Sequence, residues 1–485
     1  MKLAPLAPLA LALSLLTPAP AAQRAHTRPR VDPMTGRSAR TFAPPRAPRR
    51  TTQAPSLFGP RPVGVEGKTI GYSTEFIVPH DLRLTFFPAA SQDLVDDGFT
   101  LVPVDSLDAA ALENVDILFL GLFDTNTSLD ALQTIQILQF VLSGGALVFL
   151  GENNLGYGAG NVSVGGPFGL EFPDLDPDQD VLTDVRLHPL TRKPLGPITS
   201  VRAPINQPGF FGSIADPGPF GKTLVAFEDG SAHVVVIEPG ALAPGSGRVL
   251  FVSEANTYLQ DYFLGNNREL WRNLFAYDPV SLHFEVEDDF TTPLLNGHAV
   301  ASPNEFGRLV DVVGLGANFG AAVFDSNPFG PNVFSSDRDL LVQRGNVLIL
   351  QERGLQTVPG LFDFPDDARD GGVLEFDFSE PRSPVCIDLI DICPGPTPQD
   401  ARVELTDDQG RQRVFDVPSG WTSDVSVGGR GFGTLEFNEL GPQSGVQATA
   451  TATASEDTGF DLDAVVRITV ELLGSGAVDN LVFSD

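Results

Sequence analysis

The stretch Gly144-Gly145-Ala146-Leu147-Val148-Phe149-Leu150-Gly151-Glu152-Asn153-Asn154 constrains the fold more than any other part of this 485-residue chain. It reads as a helix cap, a strand buried on both faces and a sharp turn. Many α/β enzymes place an activated Cys or Ser on the turn after such a strand. Here that turn offers only acid and amide groups.

The rest of the N-terminal half extends the same pattern. Apolar runs at Thr69–Tyr72, Phe99–Pro103, Asp116–Leu122, Ala146–Leu150, Thr223–Phe227, Val234–Glu238 and Arg248–Val252 are expected strands. Leu129, Leu132, Ile135, Leu138 and Leu142 keep helical spacing, which predicts a helix over Leu129–Ser143 capped by Ser128 and Gly144. A second helix is expected at Asn267–Ala276. Strands of continuous Val, Ile, Leu and Phe separated by helices imply a parallel sheet with both faces covered.

After Asp278-Pro279 the period changes to short alternating runs, at Phe284–Val286, Val347–Gln351, Val373–Phe378, Arg402–Thr406, Gln412–Val417, Thr434–Phe437, Gln447–Ala454 and Val466–Leu472. Asp408-Gln409-Gly410 reads as a hairpin turn. No helix-length periodic segment appears there, so the second half is expected to be a β-sandwich or jelly roll. The fold class is therefore α/β plus all-β, with domains at 67–278 and 279–485.

Residues 1–22 read as a secretory signal peptide, with Lys2, an apolar run from Leu9 to Leu16 and a small-residue site at Ala19-Pro20-Ala21. Residues 23–66 form an expected disordered Arg/Pro-rich segment, in which 23–50 hold eight Arg against Asp32. That segment reads as a Pro-interrupted arm or as a contact for anionic envelope polymers. Beyond residue 50 there remain 22 Lys+Arg against 61 Asp+Glu, a net charge near −39. Nucleic acid is excluded as a partner, because phosphate neutralisation needs clustered cations. The acids serve a solubilising surface or gather divalent cations. No segment has the roughly 18 apolar residues of a membrane helix, and the sequence ends without a hydrophobic tail, so a soluble protein is expected, secreted, periplasmic or on the cell surface. Cys386 and Cys393 stand about 23 Å apart if the run between them is extended, too far for a disulfide unless the chain turns.

Four pieces in order, Val115–Leu120, Phe140–Phe149, His188-Pro189-Leu190-Thr191 and Gly247–Glu254, make the N-terminal half resemble class I glutamine-amidotransferase-like, flavodoxin-type domains. Catalytic relatives carry a Cys after the strand that here ends at Leu150. This half has no Cys at all, so the family's glutaminase chemistry does not carry over. Phe324-Asp325-Ser326, Asp337–Val342, Gly345–Leu350, Pro365-Asp366-Asp367 and Gly474–Phe483 make the second half resemble a β-sandwich module of secreted proteins from planctomycete-type bacteria.

Ligands of open parallel sheets bind beyond the carboxyl ends of the strands. The candidate ligand-binding residues there are Asp124, Glu152, Asn153, Asn154, Glu254 and Asn256, with helix capping and turn closure as the structural alternative. Glu152 and Glu254 are also the candidate acid/base pair for glycoside cleavage. His188 and His233 have no Ser or Cys motif to serve and are expected to be structural. Candidate ligands for a structural Ca²⁺ are Asp325, Asp337 and Asp339 in one loop region, and Glu285, Glu287 and Asp479 where first and last strands would meet. The Gly-dense stretches Gly156–Gly160 and Gly428–Gly433 read as ordinary loops. Together these point to an exported, non-catalytic binding or surface-assembly protein, its ligand an envelope polysaccharide or another exported protein. The alternative is a hydrolase acting on glycan or peptide through carboxylates at the strand ends.

Overall fold

The computed structural model describes residues 67–73, 87–121, 127–173, 179, 181–193, 196–202, 212–258, 263–285, 293–300, 306, 310–335, 337–392, 400–423, 425, 430–444 and 450–484. Strands of the first half are β1 (Thr69–Ser73), β2 (Thr100–Val104), β3 (Ile117–Leu120), β4 (Ala146–Leu150), β5 (Val181–Leu182), β6 (Asp184–Val185), β7 (Val201–Arg202), β8 (Gly221–Ala226), β9 (Ala232–Ile237) and β10 (Val249–Val252). Helices are α1 (Pro88–Asp97), α2 (Ala131–Leu142), α3 (Asn154–Gly165), α4 (Pro189–Arg192) and α5 (Asn266–Ala276).

Eight strands form one sheet in the order β2-β1-β3-β4-β10-β9-β8-β6. Pairing from β2 through β10 is parallel, but β10–β9, β9–β8 and β8–β6 are antiparallel. The sheet is thus mixed rather than wholly parallel. For β8 and β9 the cause is local: the turn at Asp229-Gly230, where Gly230 N–H reaches the Phe227 carbonyl, joins them without room for a crossover helix. β3, β4, β9 and β10 are buried along their whole length, as continuous apolar runs require. One face packs on α1 and α5 around Trp271, which meets Phe119 at 5.9 Å, Phe275 at 4.9 Å and Tyr258 at 4.8 Å.

Two local expectations change. α2 starts two residues later than its leucine pattern suggests, because Asp130 and Gln133 form a reciprocal capping box that outcompetes Ser128. Gly156–Gly160 lies inside α3, not in a loop. Asn153 caps that helix, and Gly165 in its last turn lets the Phe172 ring come where a Cβ would stand 2.7 Å away, so packing overrides poor propensity.

The second half is all β: β11 (Val280–Leu282), β12 (Ala299–Val300), β13 (Val310–Leu315), β14 (Ala321–Asp325), β15 (Asn346–Leu350), β16 (Gly372–Ile390), β17 (Ala401–Asp407), β18 (Gln412–Val417), β19 (Phe432–Glu436), β20 (Thr453–Glu456), β21 (Val465–Leu472) and β22 (Ala477–Ser484). Its pairings are antiparallel throughout, and the 19-residue β16 organises them. The first part of β16 pairs with β13 and β21, and its last part with β19 and β22. The first strand is β11 at Val280–Leu282, with Phe284 and Glu285 already in a turn. The Asp408–Gly410 hairpin links β17 to β18 as expected. Cys386 lies on β16 as a buried free thiol, and Cys393 lies outside the described residues.

The two halves meet through polar contacts. Lys222 of β8 pairs with Glu436 of β19 at 2.6 Å, Lys193 donates to Ser383 Oγ at 2.8 Å, and Arg344 reaches the Ala241 carbonyl at 3.3 Å. Arg430 stacks over Phe220 from the first half and Phe432 from the second. Trp271→Ala is expected to lower the unfolding free energy by about 3–5 kcal/mol, read by denaturant titration, because it empties the centre of the aromatic cluster.

Candidate functional site

Parallel pairing of β4 with β10 sets Leu150 beside Val252. The chain then leaves both strands together: Gly151 N–H donates to the Val252 carbonyl at 2.7 Å and Ala255 N–H to the Gly151 carbonyl at 2.9 Å. Glu152 and Glu254 therefore emerge side by side at the carboxyl edge of the sheet. Their side chains are hydrogen-bonded to each other, and only 4% and 1% of the two residues remain exposed.

Asn256 ties the pair. Its Nδ2 donates to Glu152 Oε2 at 2.8 Å and to Glu254 Oε1 at 2.6 Å, and its backbone N–H adds a bond to Glu254 Oε1 at 2.9 Å. Asn153 Nδ2 donates to Glu152 Oε1 at 3.2 Å, and Gly212 N–H to Glu254 Oε2 at 3.2 Å. Gly212 must be glycine, since a Cβ there would lie 1.8 Å from the Ser253 carbonyl oxygen. Every carboxyl oxygen thus has a donor from the protein.

Burial pushes the Glu254 carboxyl well above its ordinary range, and the adjacent Glu152 adds to this, against the N–H groups of Asn256 and Gly212. Two buried carboxyls in contact favour one shared proton over two charges.

Of the six ligand-binding candidates, the structure brings together Glu152, Asn153, Glu254 and Asn256. Asn154 sits alongside, its Nδ2 on the Ser213 carbonyl at 3.1 Å and its Oδ1 accepting from Asn161 at 2.8 Å. Asp124 lies outside the described residues. Asn161, absent from the sequence reading, is central: its Nδ2 also donates to the Glu152 carbonyl at 2.7 Å. The glycines at 156, 158 and 160 just before it argue against a helix and so hide its placement from sequence alone.

The neighbouring Ser253 and His233 are not a nucleophile and base. Ser253 Oγ donates to the Gly212 carbonyl at 2.7 Å while His233 Nδ1 stands 3.1 Å from it. Burial holds His233 down to about 3, hence neutral. His188 is structural as well: its Nδ1 accepts from Leu190 N–H at 3.1 Å and its Nε2 faces Glu238 Oε1 at 2.8 Å. Burial works to raise Glu238, but His188, Lys222 and the Tyr277 hydroxyl hold it down to about 2.

The calcium candidates that are described do not assemble as donor sets. Among the described residues no group of three or more His, Cys, Asp and Glu side chains is placed to hold a metal ion. Asp479 on β22 faces the Arg344 guanidinium, whose Nε lies 3.4 Å from it and whose Nη2 pairs with Asp388. That guanidinium supplies the positive charge a cation would bring. Glu285 is committed to His283 and to Asn346 N–H, both at 2.8 Å, and Glu287 lies outside the described residues. Asp325 caps its own turn through Asn327 N–H at 2.9 Å. Asp337 caps a short 3₁₀ turn, Arg338–Leu340, that contains Asp339, and burial together with a hydrogen bond to Asp366 pushes Asp337 up to about 7.

No family model matches the chain, and no curated protein does. Among solved structures it is similar to the mmIFT52 N-terminal domain, with 11% identity over 44% of this chain and all of that one, at a TM-score of 0.33. It is also similar to the exo-β-1,4-mannosidase Op5Man5 from Opitutaceae bacterium strain TAV5, at 14% identity, 43% of this chain, 36% of that one and TM-score 0.29. A ThuA-like protein from Bacteroides uniformis aligns at 15% identity over 46% of this chain and 95% of that one, with TM-score 0.25. These likenesses are weak and lend no function. An α/β part followed by a β-rich part is what stands.

The pair sets a pH dependence. Folding raises the Glu254 pKa, so its stabilising contribution is complete below the unfolded glutamate value and is lost as pH rises through the folded one. Glu254→Gln keeps the acceptor and removes the proton equilibrium. The melting temperature of the variant relative to the parent is expected to climb as pH rises above the ordinary glutamate range; a gap that stays constant contradicts the shared proton.

Proposed function

We propose that this chain is an exported, non-catalytic binding or surface-assembly protein, in which an amidotransferase-like α/β part without its nucleophile is a scaffold and the partner is an envelope polysaccharide or another exported protein. The observation that carries this reading is the closed state of the strand ends. Where relatives expose a reactive group, Glu152 and Glu254 are buried and each oxygen accepts from a protein donor. Hydrogen-bond capacity spent internally is not available to polarise a substrate.

The hydrolase reading draws on one observation, the raised pKa of Glu254 in a carboxyl pair. Geometry weighs against it. Glycosidase carboxyls flank a sugar with about 5 Å or more between them, whereas these two touch each other and share one amide nitrogen.

Full-length purified protein is expected to co-sediment with envelope polysaccharide or capture an exported protein, while releasing no reducing ends or new peptide termini. Glu254→Gln is expected to leave capture unchanged within about twofold. Turnover that disappears in Glu254→Gln overturns the binding reading in favour of the hydrolase.

A further inference from the structure

Where β8 and β9 of the first half face β16, β19 and β22 of the second, a cavity of about 120 Å³ opens whose lining includes neither Glu152 nor Glu254. Arg430, just ahead of β19, is half-buried on its wall. Its guanidinium carbon lies 3.9 Å from the centre of the Phe432 ring and 5.3 Å from that of Phe220, so aromatic rings from both halves hold it. No hydrogen bond or ion pair among the described residues engages this side chain, and its nitrogens are not sealed from solvent. The acids of the lining are matched. Glu436 pairs with Lys222 at 2.6 Å, Asp388 pairs with Arg344 and accepts from Thr434 Oγ1 at 2.5 Å, and Glu238 accepts from the Tyr277 hydroxyl at 2.7 Å. The lining holds a second unspent donor in Asn480 of β22, which is 3% exposed. Its Oδ1 accepts from Ser281 Oγ at 2.5 Å, and its Nδ2 has no acceptor among the described residues.

The hydrogen-bonding capacity left over in this cavity is therefore donor capacity, and its charged part is a cation. Burial pushes Arg430 down to about 10, with Asp388 opposing this and Arg344 adding to it, so it stays charged at neutral pH. A partly desolvated cation without a counter-ion is stabilised by an anion brought to it. A guanidinium stacked on rings presents its N–H edge, and that fork matches the oxygens of a carboxylate or phosphate. The volume is that of about four waters, enough for one such group. The net charge near −39 beyond residue 50 disfavours a long polyanion, which leaves a single charged group. We infer that this seam cavity binds one oxoanion group, a carboxylate or a phosphate, with the Arg430 edge as its charged donor and the Asn480 amide as a neutral one. The junction of two domains is a common place for such a site. The inference goes beyond the binding reading and does not depend on it.

The test is thermal melting of the full-length protein at neutral pH in sodium acetate or sodium phosphate, with sodium chloride holding the ionic strength constant, for the parent, Arg430→Gln and Arg430→Lys. A ligand that binds only the folded state raises the melting temperature with its concentration. The parent is expected to show such a rise with acetate, phosphate or both, and Arg430→Gln to show none. Arg430→Lys keeps the charge but loses the fork, and is expected to need about tenfold more anion for the same rise. A response to acetate alone makes the ligand group a carboxylate and a response to phosphate alone makes it a phosphate; either supports the site. No response of the parent to either anion overturns it, as does an equal response in Arg430→Gln. Should Arg430→Gln fail to fold, Arg430→Lys decides, and an unchanged concentration dependence there overturns the site. Loss of polysaccharide or protein capture with the anion response retained overturns the binding reading alone.

Discussion

Two carboxyl groups pressed together inside a protein cannot both ionise, and the contact between Glu152 and Glu254 makes this constraint part of the fold. The groups belong to the ends of neighbouring parallel strands, so a shared proton and the Asn256 amide hold β4 and β10 in register where the backbone ladder stops. Asn153 turns the same cluster into a helix cap, and Asn161 returns from α3 to brace it. The edge at which α/β sheets commonly do chemistry is in this way folded inward.

A related economy governs the cations. With 22 Lys+Arg against 61 Asp+Glu beyond residue 50, four arginines are nevertheless buried among the described residues: Arg248, Arg272, Arg344 and Arg413. Arg272 takes Asp97, Arg344 lies between Asp388 and Asp479, and Arg413 meets Glu456 and the Phe437 carbonyl. Removing one member of such a pair strands a charge in low dielectric. Among the described residues buried acids outnumber these arginines, so the acidic balance is a matter of composition and not of where the cations lie.

The sequence was most informative where burial alone decides structure. Ala146–Leu150 and Gln412–Val417 have the expected bounds, because an uninterrupted apolar run and a short alternating run bounded by turn residues each fit one environment. The convergence of Glu152 with Glu254 was legible for a related reason, as both follow buried parallel strands. What escaped was set by tertiary contact. The glycines of α3 argue against a helix until Phe172 is seen packing on Gly165. Antiparallel β8–β9 depends on a short turn that a strand pattern does not weigh.

The account is tested most directly by infrared spectroscopy of the carboxyl C=O stretch near neutral pH, comparing the parent with Glu254→Gln. A protonated-carboxyl band in the parent that is absent from the variant, and that is undisturbed by added polysaccharide, is the result expected of a closed, proton-sharing pair. No such band, or one that shifts when polysaccharide is added, would mean that the pair is ionised or open to ligand and would contradict the account.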